Sequence, residues 1–93
     1  MQPTIDLTAA LHGYMYSVVV SRREDSDAWQ VMARHAGGGS WQLAATGTGK
    51  SLDIVYSPTT PGDAVQLEVY VQLRRSNANY GEPSEIGLVT VNP

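Results

Sequence analysis

The chain has no cysteine and no phenylalanine among its 93 residues. Without cysteine there is no disulfide framework, and no thiolate to hold a metal or attack a substrate. Long hydrophobic runs are also missing. Runs such as Val18-Val19-Val20 are far short of the roughly 20 apolar residues that a membrane helix needs, so no membrane insertion is expected. The N-terminus carries no signal-peptide pattern. Basic charge is scarce: six Lys and Arg face nine Asp and Glu, for a net charge of −3. That balance argues against a protein that tracks phosphates, and no nucleic-acid partner is expected. The two basic doublets, Arg22-Arg23 and Arg74-Arg75, fit solvated strand ends. Repeats, low-complexity tracts and internal linkers are absent. One small domain covering residues 1–93 is expected, burying about 65% of its unfolded surface around a single core.

What is present is alternation. Val65, Leu67, Val69, Val71 and Leu73 fall at every second residue, with Gln66, Glu68, Tyr70, Gln72 and Arg74 between them. A period of two gives one apolar and one wet face, the mark of a long antiparallel strand. An Asn- and Gly-bearing loop, Ser76 to Ser84, leads to a second β-branched run, Ile86 to Val91. A hairpin of this kind is not stable alone, so the rest of the chain must supply a second layer.

Earlier in the chain, Tyr14, Tyr16, Val18 and Val20 share one face of a strand, followed by the charged turn RREDSD. Ile5, Leu7, Ala9 and Leu11 predict a first strand ending at His12-Gly13. A short helix capped by Asp6 and stopped by Gly13 competes with it. The stretch from Ala28 to Ala36 also supports two readings. Asp27 could cap a helix that Gly37 ends, whereas Trp29, Val31 and Ala33 alternate as in a strand. Trp41, Leu43 and Ala45 predict one face of a further strand, and Leu52, Ile54 and Tyr56 another. Six or seven strands separated by turn signals indicate an all-β antiparallel sandwich, immunoglobulin-like in kind.

Several of these stretches resemble a fibronectin type III domain. Gly13-Tyr14 with the following alternation and Arg22-Arg23 looks like that family's third strand, and Trp29 with Val31 like the next. Pro61-Gly62 looks like the turn into its sixth strand. Asn79-Tyr80-Gly81-Glu82-Pro83-Ser84 resembles its last loop. Val65 stands where the family usually has a tyrosine, Ile5 to Leu11 lacks the usual core tryptophan, and Ser40 to Gly49 looks like an insertion. The resemblance implies a module set in tandem within a larger protein, extracellular or on the cell surface.

Motifs for chemistry are few. Ala44 to Ser51, AATGTGKS, fits a loose phosphate-loop pattern, but such a loop needs a helix after its Lys. Here LDIVYSP follows, so a Gly-rich turn with an exposed Lys50 is expected and no cofactor. Glu24, Asp25 and Asp27 could offer oxygens to calcium, without the spacing of a calcium loop. His12 and His35 stand alone, and no nucleophile elbow occurs. No catalytic or metal site is expected. Trp29 is expected in the core, and so are most of the five tyrosines and two tryptophans.

The expected function is therefore that of a non-catalytic spacer or binding module, monomeric in isolation, whose partner is a protein or a carbohydrate. Loops carry binding on such scaffolds. The candidates are Arg22, Arg23 and Asp25 in one loop and Asn77, Asn79 and Tyr80 in another. A self-assembling structural subunit, of phage-tail or surface-layer type, is the alternative that free strand edges suit.

Overall fold

A computed structural model describes residues 2–23, 26–58 and 62–93. The protein is an all-β antiparallel sandwich. Its strands are β1 (Thr4–Ala9), β2 (Met15–Ser21), β3 (Ala28–His35), β4 (Gln42–Gly47), β5 (Ser51–Val55), β6 (Val65–Arg75), β7 (Ala78–Asn79) and β8 (Gly87–Val91). One sheet has the order β1-β2-β5. The other runs β4-β3-β6, and both β7 and β8 pair with the far side of β6. The chain changes sheet between β2 and β3, between β4 and β5 and between β5 and β6. That is the immunoglobulin-like arrangement of two sheets sharing one core.

Both ambiguous segments are strands. β1 pairs with β2 from Thr4↔Ser21 to Ala9↔Tyr16, and β3 pairs with β6 from Ala28↔Arg74 to His35↔Leu67. Local helix propensity in Ala28 to Ala36 gives way because Trp29 and Val31 bury their side chains only if the chain is extended. The strand beginning after Gly13 is accordingly the second of the fold, and the one with Trp29 is the third. The stretches likened to a family's third strand and the next one thus stand second and third in chain order, whereas the strand entered after Gly62 stands sixth. Most of Ser40 to Gly49 is the edge strand β4.

The core follows the period-two pattern. Tyr16, Val18, Val20 and Ile54 project from the first sheet. Trp29, Val31, Leu67, Val69, Val71, Leu73, Val89 and Val91 meet them from the second. Each fully buried aliphatic side chain of this kind contributes about 1.5–3 kcal/mol relative to exposure. Ile5, Leu7 and Ala9 of β1 are half-buried against the same cluster. Alternation fails in β4. Val31 pairs with Ala45 and Met32 with Leu43, so Ala44 is an extra residue, a β-bulge. The bulge separates what the sequence put on one face. Ala45 packs on the core, whereas Leu43 is 55% exposed.

The β6–β7 turn is made by Ser76 and Asn77, with φ of 52° and 62°. Both central residues are left-handed and Arg75 pairs with Ala78, as in a two-residue type I′ hairpin. Residues 80–86 then leave the sheet and return to it as β8. Ser84 bridges the gap. Its amide donates to the Val71 carbonyl at 2.8 Å, and its hydroxyl accepts from the Val71 amide at 2.9 Å. Beside it, Gln72 is buried although it lies on the polar face of β6. Its side-chain amide reaches the carbonyls of Tyr80 and Gly81, both at 3.3 Å. Ser84→Ala strands the buried Val71 amide, at a cost of about 1–3 kcal/mol. In native-state hydrogen exchange, faster exchange at Val71 with the β2 amides unaltered is the expected result. Unchanged protection at Val71 would mean that the hydroxyl is dispensable.

Candidate interaction surfaces

The two loops singled out in the sequence meet at one end of the sandwich. The Asp27 amide donates to the Arg74 carbonyl at 3.0 Å, and its carboxylate accepts from the Ser76 amide at 3.0 Å. Arg22 is exposed with φ of 59°, and Arg23 is half-buried with its carbonyl turned to the Ser26 amide. Asp25 and Glu24 lie outside the described residues. In the second loop the polar groups satisfy one another. Arg74 donates to the Asn79 side-chain oxygen at 2.6 Å and to the Asn77 carbonyl at 2.8 Å. Tyr80 packs partly on the core, with the Arg75 guanidinium 5.7 Å from its ring centroid. Of the six candidates, Arg22, Arg23, Asn77, Asn79 and Tyr80 thus share one end. Asn77, Asn79 and Tyr80 also hold their own loop together.

AATGTGKS contains no phosphate cradle. Gly47 ends β4 and β5 starts at Ser51, so a strand follows Lys50 where a phosphate loop needs a helix N-terminus. The glycines serve Trp29 instead. Its indole Nε1–H donates to the Gly49 carbonyl at 2.9 Å, and its six-membered ring lies against Gly47. A Cβ at Gly47 would fall 2.5 Å from the ring. Lys50 is exposed and its carbonyl accepts from the Val20 amide at 2.9 Å, tying the sheet crossing to β2.

At the opposite end, a cleft of about 480 Å³ opens between β4 and β5, where the sheets part. Tyr16, Ile54 and Leu67 form its inner wall, and Leu43, Val55, His35 and Tyr56 its mouth. Tyr56 Oη lies 2.6 Å from His35 Nε2. His12 at this end has Nδ1 3.2 Å from the Pro93 carbonyl. Among the described residues no three His, Cys, Asp or Glu side chains converge as metal ligands. Among the same residues no helix is long and apolar enough to cross a membrane.

Burial raises the Tyr16 hydroxyl from its ordinary 10.0 to about 12. The folded chain thus keeps this proton at a pH where the unfolded chain has released it. Stability from Tyr16 is whole below pH 10 and lost as pH rises toward 12. Tyr16→Phe should flatten that alkaline decline in melting temperature. An unaltered decline would assign it to other groups.

The aromatic residues divide in a way that their composition conceals. Trp29, Tyr14 and Tyr16 are buried, and Tyr56 and Tyr80 pack against the core. Trp41 and Tyr70 lie instead on the outer face of the five-stranded sheet, edge to face, with centroids 4.7 Å apart and planes at 76°. The Arg34 guanidinium stands 4.3 Å from the centroid of Trp41. It also pairs with Glu68 at 3.0 Å, which holds it there. Register explains the cluster: Met32 faces Tyr70, Arg34 faces Glu68, and Glu68 faces Leu88. From Trp41 and Tyr70 a shallow groove of about 500 Å³ runs to Glu82, Pro83, Glu85, Ile86 and Gln2. The sequence places Tyr70 on the wet face, but nothing local joins it to Trp41 across two intervening strands. No protein-family model and no curated protein matches this sequence.

Proposed function

We propose that the protein is a non-catalytic β-sandwich module of the fibronectin type III kind, a spacer that also presents a binding face within a larger, extracellular or surface protein. The observation carrying this reading is that the start of the first strand and the finish of the last strand lie at opposite ends of the sandwich. β1 begins beside the end of β2, at Thr4↔Ser21, near the loop that Asp27 ties to Ser76. β8 finishes opposite the start of β6, at Val65↔Val91, near His12. The longest dimension of the domain is 41 Å. A unit entered at one end and left at the other sits in line between neighbours and adds its length to the array. The sandwich with one three-stranded and one larger sheet also supports the family reading.

Light scattering over a wide concentration range separates this reading from a self-assembling subunit. The module stays at its monomer mass of 10.0 kDa. Mass that climbs with concentration would replace it by the subunit, whose free edges β4 and β5 would pair with further copies.

A further inference from the structure

The groove on the outer face of the larger sheet has an apolar aromatic floor and an acidic rim, and the two together select a ligand. The floor is Trp41, Tyr70, Pro83 and the 53%-exposed Ile86. Leu88, two residues further on in β8, is 59% exposed as well. The rim is Glu82 and Glu85. Among the described residues the only ion pair is Arg34–Glu68, so neither rim carboxylate is neutralised by a described cation. The domain as a whole is acidic as well.

Three ligand chemistries can be weighed against that geometry. An anion meets two carboxylates and is repelled. A sugar stacks on flat aromatic faces, but Trp41 and Tyr70 stand at 76°, and the Arg34 guanidinium lies over the indole. No common platform is left. A long cationic side chain fits both parts, since its aliphatic stem lies along apolar surface while its charged head reaches outward to a carboxylate. The Tyr70 ring, which no described cation covers, adds attraction for that charge, whereas the Trp41 face is already taken by Arg34, itself paired with Glu68. The groove is open and shallow, and its wall is the irregular segment 80–86, so an extended chain can enter along its length.

We infer that this groove binds lysine-type side chains of an extended basic peptide, with Trp41 and Tyr70 as floor and Glu82 and Glu85 as the charge partners. This deepens the binding-module reading and rests on it, naming one face and one ligand class. The outer sheet face, rather than the loop end with Asn77 and Asn79, is then the binding surface.

The sequence supplies a built-in control, because the chain has two tryptophans. The Trp41 indole lines the groove, whereas Trp29 is 1% exposed with its indole N–H bound to Gly49. Titrating an end-blocked tetralysine peptide into isotope-labelled protein should shift the Trp41 indole signal and the amides of Tyr70, Glu85 and Ile86, saturably. The Trp29 indole should stay still. The same peptide with acetylated lysines should produce no shift, and so should tetraglutamate and cellotetraose. Glu82→Gln with Glu85→Gln, both at exposed positions, should weaken binding by about five- to tenfold with the fold intact, in keeping with rim charge pairs. Tyr70→Ser should weaken it without altering net charge. Equal shifts around Asp6 and Asp53 would reduce the effect to bulk attraction and overturn the proposal. So would binding that survives acetylation or the double Gln variant, and so would saturable binding of cellotetraose in the groove. A failure here leaves the monomer mass in light scattering untouched, so it is distinguishable from failure of the spacer reading.

Discussion

Trp29→Ala should lower the melting temperature by about 15–30 °C, or leave no folded domain at all. Removing a buried tryptophan costs about 3–5 kcal/mol, and each kcal/mol shifts a domain of this size by about 4–8 °C. Total stability in such domains is about 5–15 kcal/mol, so this one side chain carries a large share of it. The structural reason lies in the strand crossing. Trp29 faces Leu73 on β6 and Gly47 on β4, and its indole holds the Gly49 carbonyl just before the chain moves to the other sheet. Loss of the ring opens the core and releases the β4–β5 connection together. Gly47→Ala tests the same contact from the other side. Its Cβ would sit 2.5 Å from a ring that is 1% exposed and has nowhere to retreat. Overpacking of this kind costs about 1–3 kcal/mol. Placed on the Trp29→Ala background, the same glycine change should cost much less, because the clash is gone. A thermal scan by circular dichroism decides it. A shift of only a few degrees for Trp29→Ala, or full additivity in the pair, would show that the ring does not pin the crossing.

The contrast between the two tryptophans shows what a sequence can and cannot reveal about this fold. Trp29 sits in a run where Trp29, Val31 and Ala33 alternate, and alternation is a local property that reports a buried face directly. The same rule yields the core face of β6 and of β2 with no error. It fails at Trp41 because one bulged residue, Ala44, shifts every side chain before it relative to Ala45. A bulge changes no composition, so nothing in QLAATG announces it. Gln72 is misread for another reason. It stands on the polar face of β6 and is buried only because residues 80–86 fold back over it, a tertiary event. The meeting of Trp41 with Tyr70, and of Asp27 with Ser76, likewise depends on strand order. Two short basic or acidic turns look alike before the topology decides which end each occupies.

Tyr14→Phe should be the costliest single-atom change at the other end of the sandwich, lowering stability by about 1–3 kcal/mol and the melting temperature by about 5–20 °C. The Tyr14 hydroxyl donates to the Asp63 carbonyl at 2.9 Å and accepts from the Gly62 amide at 2.8 Å. It thus fixes the turn that enters β6, the longest strand of the fold. In immunoglobulin-like sandwiches a tyrosine near the start of the corresponding strand bonds neighbouring backbone in a comparable way. Here Val65 occupies that neighbourhood, and the phenol comes from the β1–β2 turn instead. The backbone of Tyr14 is committed to the same junction. Its amide donates to the Asn92 carbonyl at 2.7 Å, and its carbonyl accepts from the Tyr56 amide at 2.9 Å. These bonds hold it in a left-handed conformation, φ 55°, that a side-chain-bearing residue adopts at a cost of about 1–2 kcal/mol. One residue therefore joins the β1–β2 turn to the end of β8, the exit of β5 and the entry of β6. Phenylalanine keeps the ring, including its edge-on packing with Tyr56 at 6.4 Å, and removes only the hydroxyl. Exchange at the Gly62 amide should accelerate far more than exchange in β2, and the loss of stability should be seen in urea as a lower midpoint with an unchanged slope. A midpoint within error of the parent protein would mean that water replaces the phenol without penalty, and that the entry to β6 is held by its strand pairing alone.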